Sequence, residues 1–126
     1  MGNNAQANVY ILSLLQDKSD LNVHGSIILS KNVAKVSWHL LEENIILGER
    51  VKIRTAPILD VHSSDVSASH GCKIEKLDPK RLFYMQSRWL TPSAAQSLIL
   101  DGYLNNVFEG FEGQEALHDM VKCLIF

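Results

Sequence analysis

The sequence predicts a mainly β chain that closes in helices, and three observations point to it. Short apolar pieces follow one another from Asn8 to Ile74, separated by polar or turn residues, as in all-β chains. Several of these pieces are apolar on consecutive positions, such as Ile27-Ile28-Leu29 and Ile45-Ile46-Leu47. Such runs suit strands covered on both faces or coiled around a core. After Leu77 the pattern changes to apolar spacings of three and four behind two proline caps. We place a β core at 8–77 and a helical segment at 78–126. The pattern leaves a solenoid of stacked turns open beside a sandwich or barrel.

Taken in order, strands are expected at VYILSLL (9–15), LNVHGSIIL (21–29), AKVSWHL (34–40), NIIL (44–47), VKI (51–53), PILDV (57–61) and VSAS (66–69). Turns are expected at 17–20, 30–32, Glu42-Glu43, Gly48-Glu49 and 62–65. No Asn-Gly or Asp-Gly pair occurs here, so a meander of tight hairpins has little support. Asp78-Pro79 is an N-cap followed by proline at the first helical position, and Thr91-Pro92 repeats the device. The second helix is expected to bury Ala95, Leu98, Ile99, Gly102, Tyr103 and Val107. A last helix carries Leu117, Met120, Val121, Leu124 and Ile125 on one face, and the sequence is still apolar at Phe126. That face needs a cover.

Composition excludes several classes of function. The 126 residues are 46% hydrophobic and 21% charged, enough for a folded core and against disorder. A net charge of −2 and twelve scattered Lys and Arg give no basic face for nucleic acid. No apolar run approaches the roughly 20 residues of a membrane span. The start of the chain carries no signal-peptide pattern. Cys72 and Cys123 are the two cysteines, far apart in sequence, and read as free thiols in a reducing cytoplasm. No glycine-rich phosphate loop is present, so no bound nucleotide is expected. The GNNAQA opening is left out of the fold reading.

The chemically capable residues gather between Asp65 and Leu90. In an extended strand His70 and Cys72 leave the same face, and imidazole and thiolate both ligate iron or zinc. Gly71 between them allows close approach. The alternative is a core thiol beside a strand-end histidine that is hydrogen-bonded. His62, Ser63, Ser64 and Asp65 do not make a hydrolase triad, because the nucleophile elbow is absent and adjacency in sequence does not supply the geometry. A His70–Cys72 nucleophilic pair lacks an orienting third residue. His24 and His39 read as structural. In the first helix Phe83, Tyr84, Arg88 and Trp89 are of the types enriched at interface hot spots. Leu82 and Phe83 are expected to pack down onto the last strands.

These same residues carry a resemblance. PILDV (57–61), DVSASHG (65–71), KIEKLD (73–78) and LFYMQSR (82–88) resemble the SufB/SufD scaffold family of the SUF iron–sulfur cluster assembly system. NIIL (44–47) and HGSI (24–27) fit the same family, and the resemblance runs over about residues 8–110. It implies a short right-handed parallel β-helix over 8–77 followed by the helical segment. It implies a cytoplasmic assembly factor and not an enzyme, one that docks a SufC-type ABC ATPase through its helices. Its last strands would form an interface with a SufB-like subunit or a second copy of itself, where a transient iron–sulfur cluster is built.

Within the family the chain is SufD-like. Val51 stands where SufB has its cluster-associated cysteine, and Ser69 and Gly71 stand where SufB has carboxylates flanking the histidine. His70 matches the functional histidine of SufD and becomes the metal or cluster candidate, with Cys72 beside it. Phe83, Tyr84, Arg88 and Trp89 become the partner-binding candidates. The rival reading is an interaction or dimerisation module of the same system that binds no cluster. Three departures stand out. The chain is short for the family, which suggests a fragment, a split subunit or a short paralogue whose open strand edge would self-associate. Cys72 takes a position usually held by alanine. Trp89 replaces a glycine which, if it caps the helix in the left-handed conformation, costs about 1 kcal/mol to replace.

Overall fold

The computed structural model describes residues 3–110 and 112–125, the side chain of Ile125 excepted. It divides into two compact units, with the boundary between Lys76 and Leu77. The first contains β1 (Gln6–Leu15), β2 (Asp20–Val23), β3 (Ser26–Leu29), β4 (Val36–Ile46), β5 (Lys52–Thr55), β6 (Ile58–Val61) and β7 (Val66–Lys76). The second contains α1 (Pro79–Gln86), α2 (Pro92–Phe108) and α3 (Gln114–Ile125).

In the first unit every pairing is parallel and joins a strand to the third strand after it. The sheets are β1-β4-β7, β2-β5 and β3-β6. Parallel partners need a long crossover, and here the crossovers are themselves strands of the other sheets. The result is mainly β with no closed barrel, and the parallel sheets are consistent with a β-helix-like fold. Register places Val9, Leu40 and His70 side by side, and Ile11, Glu42 and Cys72 two residues further on.

The core lies on the inward row. Ile27, Leu29, Val36 and Leu40 are buried, and Ile11, Trp38, Val66 and Ala68 pack against them. Burying each such aliphatic side chain contributes about 1.5–3 kcal/mol. The corner loops stack closely: a Cβ on Gly48 would lie 2.5 Å from the Asp17 nitrogen, and the Glu49 N–H donates to Asp17 Oδ1 at 2.6 Å. Only glycine leaves room for that approach.

Three boundaries differ from the expected ones, each for a physical reason. The 21–29 stretch breaks at His24-Gly25, where a Cβ on Gly25 would sit 2.5 Å from Glu42 Oε1 and 2.8 Å from His70 Cε1. Glu42-Glu43 is not a turn but the middle of β4, with Glu42 inside and Glu43 outside. Glu43 there accepts from the Tyr10 hydroxyl and from Lys73 Nζ. β1 begins at Gln6, inside the opening set aside above. Ile58, Leu59, Val61 and Ile74 are open on β6 and β7, and Val9 of β1, Ile28 of β3 and Leu41 of β4 are open as well. Leu59 and Val61 register with the buried Ile27 and Leu29, and among the described residues no further strand pairs with β6.

In the second unit the caps form where the sequence places them. The Asp78 carboxylate accepts from the Lys80 N–H at 2.9 Å, and Thr91 Oγ1 accepts from the Ala94 N–H at 3.2 Å. α2 buries Ala95, Leu100 and Leu104, whereas Leu98 is 52% exposed and Gly102 is also exposed. The covered face is therefore rotated from the expected stripe. Lys122 Nζ of α3 reaches Asp101 of α2 at 2.7 Å. On α3, Leu117 and Val121 are half-buried, while Met120 and Leu124 lie open. Phe126 lies outside the described residues.

Candidate functional site

The interior of the first unit holds a polar pair that its apolar surroundings make costly to keep. β7 carries His70 inward beside Leu40, and β4 carries Glu42 inward beside Cys72. His70 Nε2 lies 3.2 Å from Glu42 Oε1, with side chains only 3% and 1% exposed. The second carboxylate oxygen, Oε2, accepts from the Thr55 hydroxyl at 2.8 Å. Three elements thus converge on one carboxylate, and Gly25 leaves them the space. His70 Nδ1 is also buried, and it has no hydrogen-bond partner among the described residues. A buried polar atom left unpaired is uncommon enough to require a reason.

Cys72 follows His70 along the strand but is exposed, and the contact found for its sulfur is with the Asn44 side-chain nitrogen at 3.8 Å. Asn44 is itself buried and also donates to the Lys73 carbonyl at 3.4 Å. Among the described residues no group of three His, Cys, Asp or Glu side chains is placed to hold a metal ion.

The other histidines do different work. On the outer face of β4, His39 bridges Ser37 Oγ at 3.0 Å and Ser69 Oγ at 2.6 Å. Those contacts border a depression of about 480 Å³ that Asn8, Tyr10 and Leu41 also line. His24 is exposed at the corner after β2 instead of lying within a strand. His62 pairs with Asp60 at 2.9 Å while Ser63 donates to the Val33 carbonyl, so these residues form no triad.

In the second unit, α1 buries no residue. Leu82 is half-buried, but Phe83 is 73% exposed, contrary to the expected packing of both. Tyr84 is 57% exposed, and the Arg88 guanidinium carbon lies 5.1 Å from the centre of its ring. That is cation–π distance, worth about 0.5–1 kcal/mol at an exposed site. Trp89 follows the helix with a φ of 70° and is 98% exposed. Its N–H bonds the Gln86 carbonyl at 3.1 Å, closing the helix in the left-handed conformation that favours glycine.

Glu42, Thr55 and Gly25 are missed by the sequence reading. The signal for Glu42 was present: inward positions alternate through Val36, Trp38 and Leu40, and two further residues reach Glu42 and then Asn44. The adjacent acidic pair outweighed that parity.

The sequence also matches known proteins. Residues 1–103 match the family described as SUF system FeS cluster assembly, SufBD core domain. The iron–sulfur cluster assembly protein SufD of Escherichia coli is 25% identical over 113 residues, which cover 90% of this chain and 26% of that protein. SufD of Bacillus subtilis is 26% identical over 97 residues, 75% of this chain and 22% of that protein. A SufBD family protein of Methanothermobacter thermautotrophicus is 26% identical over 115 residues, 91% of this chain and 28% of that protein. The chain spans about a quarter of the length of these relatives. Because the family match covers most of its residues, the chain belongs to the SufBD core-domain family of the SUF system of iron–sulfur cluster assembly.

Proposed function

We propose that this chain is a SufD-like scaffold component that docks a SufC-type ABC ATPase through α1 and the helices after it. The supporting observation is the cluster of Phe83, Tyr84, Arg88 and Trp89, exposed together around a helix end that is held in a glycine-favouring conformation by a tryptophan. These residue types dominate interface energetics when a partner covers them. Pull-down with a SufC-type ATPase tests the reading. A Tyr84→Ala/Arg88→Ala variant should lose at least about thirtyfold in affinity, the size of a single hot spot. Unchanged binding overturns the docking role.

The first unit serves, in this reading, as the end of a right-handed parallel β-helix, supported by the pairing of each strand with the third after it. The open apolar side chains of β6 and β7 favour a SufB-like subunit or a second copy of this chain as neighbour. A strictly monomeric protein by sedimentation at micromolar concentration excludes the second copy. His70 contributes a ligand or proton acceptor for a transient cluster, with Cys72 as a second ligand and the neighbour completing the set. Anaerobic loading with iron and sulfide should fall in His70→Ala, and equal loading of both proteins removes the ligand role. In this reading the scaffold is non-catalytic and cytoplasmic, as the SufBD family membership favours. No helix among the described residues is long and apolar enough to cross a membrane.

A second reading, an interaction module with no cluster of its own, is favoured by the open apolar side chains of β6 and β7, which suit a covering partner without any metal. The same loading experiment separates the two readings.

A further inference from the structure

We infer that Glu42 is the positioning residue for His70, holding its ring with the hydrogen on Nε2 so that Nδ1 is the atom left to accept iron or a proton. The inference rests on the cluster-handling role proposed for His70, but its first test does not depend on that role.

The hydrogen bonds around Glu42 fix which ring nitrogen of His70 carries the hydrogen. The Thr55 hydroxyl donates to Glu42 Oε2, and Oε1 faces His70 Nε2 at 3.2 Å. A carboxylate accepts at both oxygens, so the imidazole nitrogen facing it must be the donor. The other nitrogen, Nδ1, is buried without a partner among the described residues. Hydrogen placed there would be a buried donor with no acceptor, whereas a lone pair is the cheaper atom to leave unpaired. Both ends of the ring therefore favour the same tautomer. Histidines that ligate metals commonly donate their second N–H to a carboxylate, which fixes ring orientation and raises the basicity of the ligating nitrogen. Gly25 completes the arrangement, because a Cβ there would fall 2.5 Å from Glu42 Oε1 and 2.8 Å from both His70 Cε1 and Leu40 Cδ2. The carboxylate and ring are thus boxed in as a unit.

Glu42→Gln makes the sharp variant. The Thr55 hydroxyl still donates, so the glutamine oxygen is held at the Oε2 position and its NH₂ turns toward His70 Nε2. Two donors would then face each other unless the ring moves its hydrogen to Nδ1. Long-range ¹H–¹⁵N NMR on histidine-labelled full chain reads this directly. The His70 signals are identified among the five histidines by their loss in His70→Ala. The wild type should show an N–H-type shift at Nε2 and a lone-pair-type shift at Nδ1, and Glu42→Gln should invert or mix the two. Thr55→Val, which keeps the carboxylate but removes its orienting donor, should broaden the tautomer mixture and guards against a misfolded Glu42→Gln protein. A wild type with its hydrogen on Nδ1, or a folded Glu42→Gln with the wild-type tautomer, overturns the inference.

Anaerobic iron and sulfide loading forms the second arm. Glu42→Gln should lose the same share of loading as His70→Ala, and the double variant should lose no more than either. Additive losses overturn positioning, because they would mean Glu42 acts apart from His70. If His70→Ala alone loads fully, the cluster role fails while the tautomer result stands or falls by itself.

Discussion

The interior around His70 and the tip of α1 keep costly side chains for opposite reasons. Glu42 and His70 are buried where a well-packed apolar pair would serve the core as well, and their cost is offset by a closed set of partners: Thr55, each other, and the space left at Gly25. Trp89 is almost wholly in water, and what it costs is backbone strain, set against one backbone hydrogen bond to the Gln86 carbonyl. A buried polar pair that is complete on one side and open at one atom suits the holding of a single nitrogen in place. A strained aromatic left in solvent suits a surface lent to another molecule. The comparison is open to attack from both ends.

The largest effect belongs to the interior. Glu42→Ala leaves the Thr55 hydroxyl and His70 Nε2 without their partner and should cost about 2–6 kcal/mol in urea unfolding, at about 1–3 kcal/mol for each buried donor left unpaired. Glu42→Met combined with His70→Leu should recover most of that loss, because apolar replacement of both members is commonly neutral or better. If the double variant is as unstable as the single, the residues are kept for packing, and the contrast with α1 weakens.

Gly25→Ala perturbs the same pair without removing any group. Its Cβ meets the carboxylate oxygen, the imidazole and Leu40, all inside van der Waals distance, and overpacking of this kind costs about 1–3 kcal/mol. The same denaturant titration measures it, and a value near zero would show that the corner after β2 gives way freely.

These two variants also mark what the sequence made legible. The strand-to-helix order, the caps at Asp78 and Thr91, and the positions of most strands follow from local rules: turn residues, proline placement and apolar spacing. Glu42 was hidden because two adjacent glutamates look like a turn, and only the β4 pairing with β1 and β7 reveals that one enters the core while its neighbour meets Tyr10 and Lys73 outside. Gly25 was hidden for a related reason. Its conformation is ordinary, and the need for glycine comes from atoms of residues 40, 42 and 70, which no local window contains. In α2 the stripe centred on Leu98 was misjudged because the sequence offers apolar residues on two adjoining faces, and packing chose Leu100 and Leu104.

At the exposed end the expected effect is smaller and has the opposite sign. Trp89→Gly places at φ 70° the residue that tolerates it and should stabilise the protein by about 1 kcal/mol. The same change should weaken ATPase capture. Phe83→Ala, which touches no strained backbone, should leave stability within about 0.5 kcal/mol. A Trp89→Gly variant that is less stable would mean the indole makes contacts that its exposure conceals, and the surface-lending argument would fail there.

The smallest effect sits on β7 itself, one residue beyond Cys72, and separates the two faces of a single strand. The carboxylates of Glu75 and Glu43 hold the Lys73 ammonium charged, pushing its pKa up to about 12 from an ordinary 10.5. A lysine raised in the folded state contributes its full share below the unfolded value of 10.5 and loses it as pH rises through about 12. Stability from this group should therefore be flat between pH 7 and pH 9 and should decline only in strong alkali. Because the lysine end of both pairs, at 3.2 and 2.8 Å, is half in water and open to counter-ions, concentrated salt should erase most of the difference between wild type and Lys73→Met. The Glu42–His70 pair, shielded from solvent on the opposite face, should keep its effect in the same salt. A Lys73→Met penalty that survives concentrated salt would place the outer face of β7 with the interior and dissolve the distinction between them.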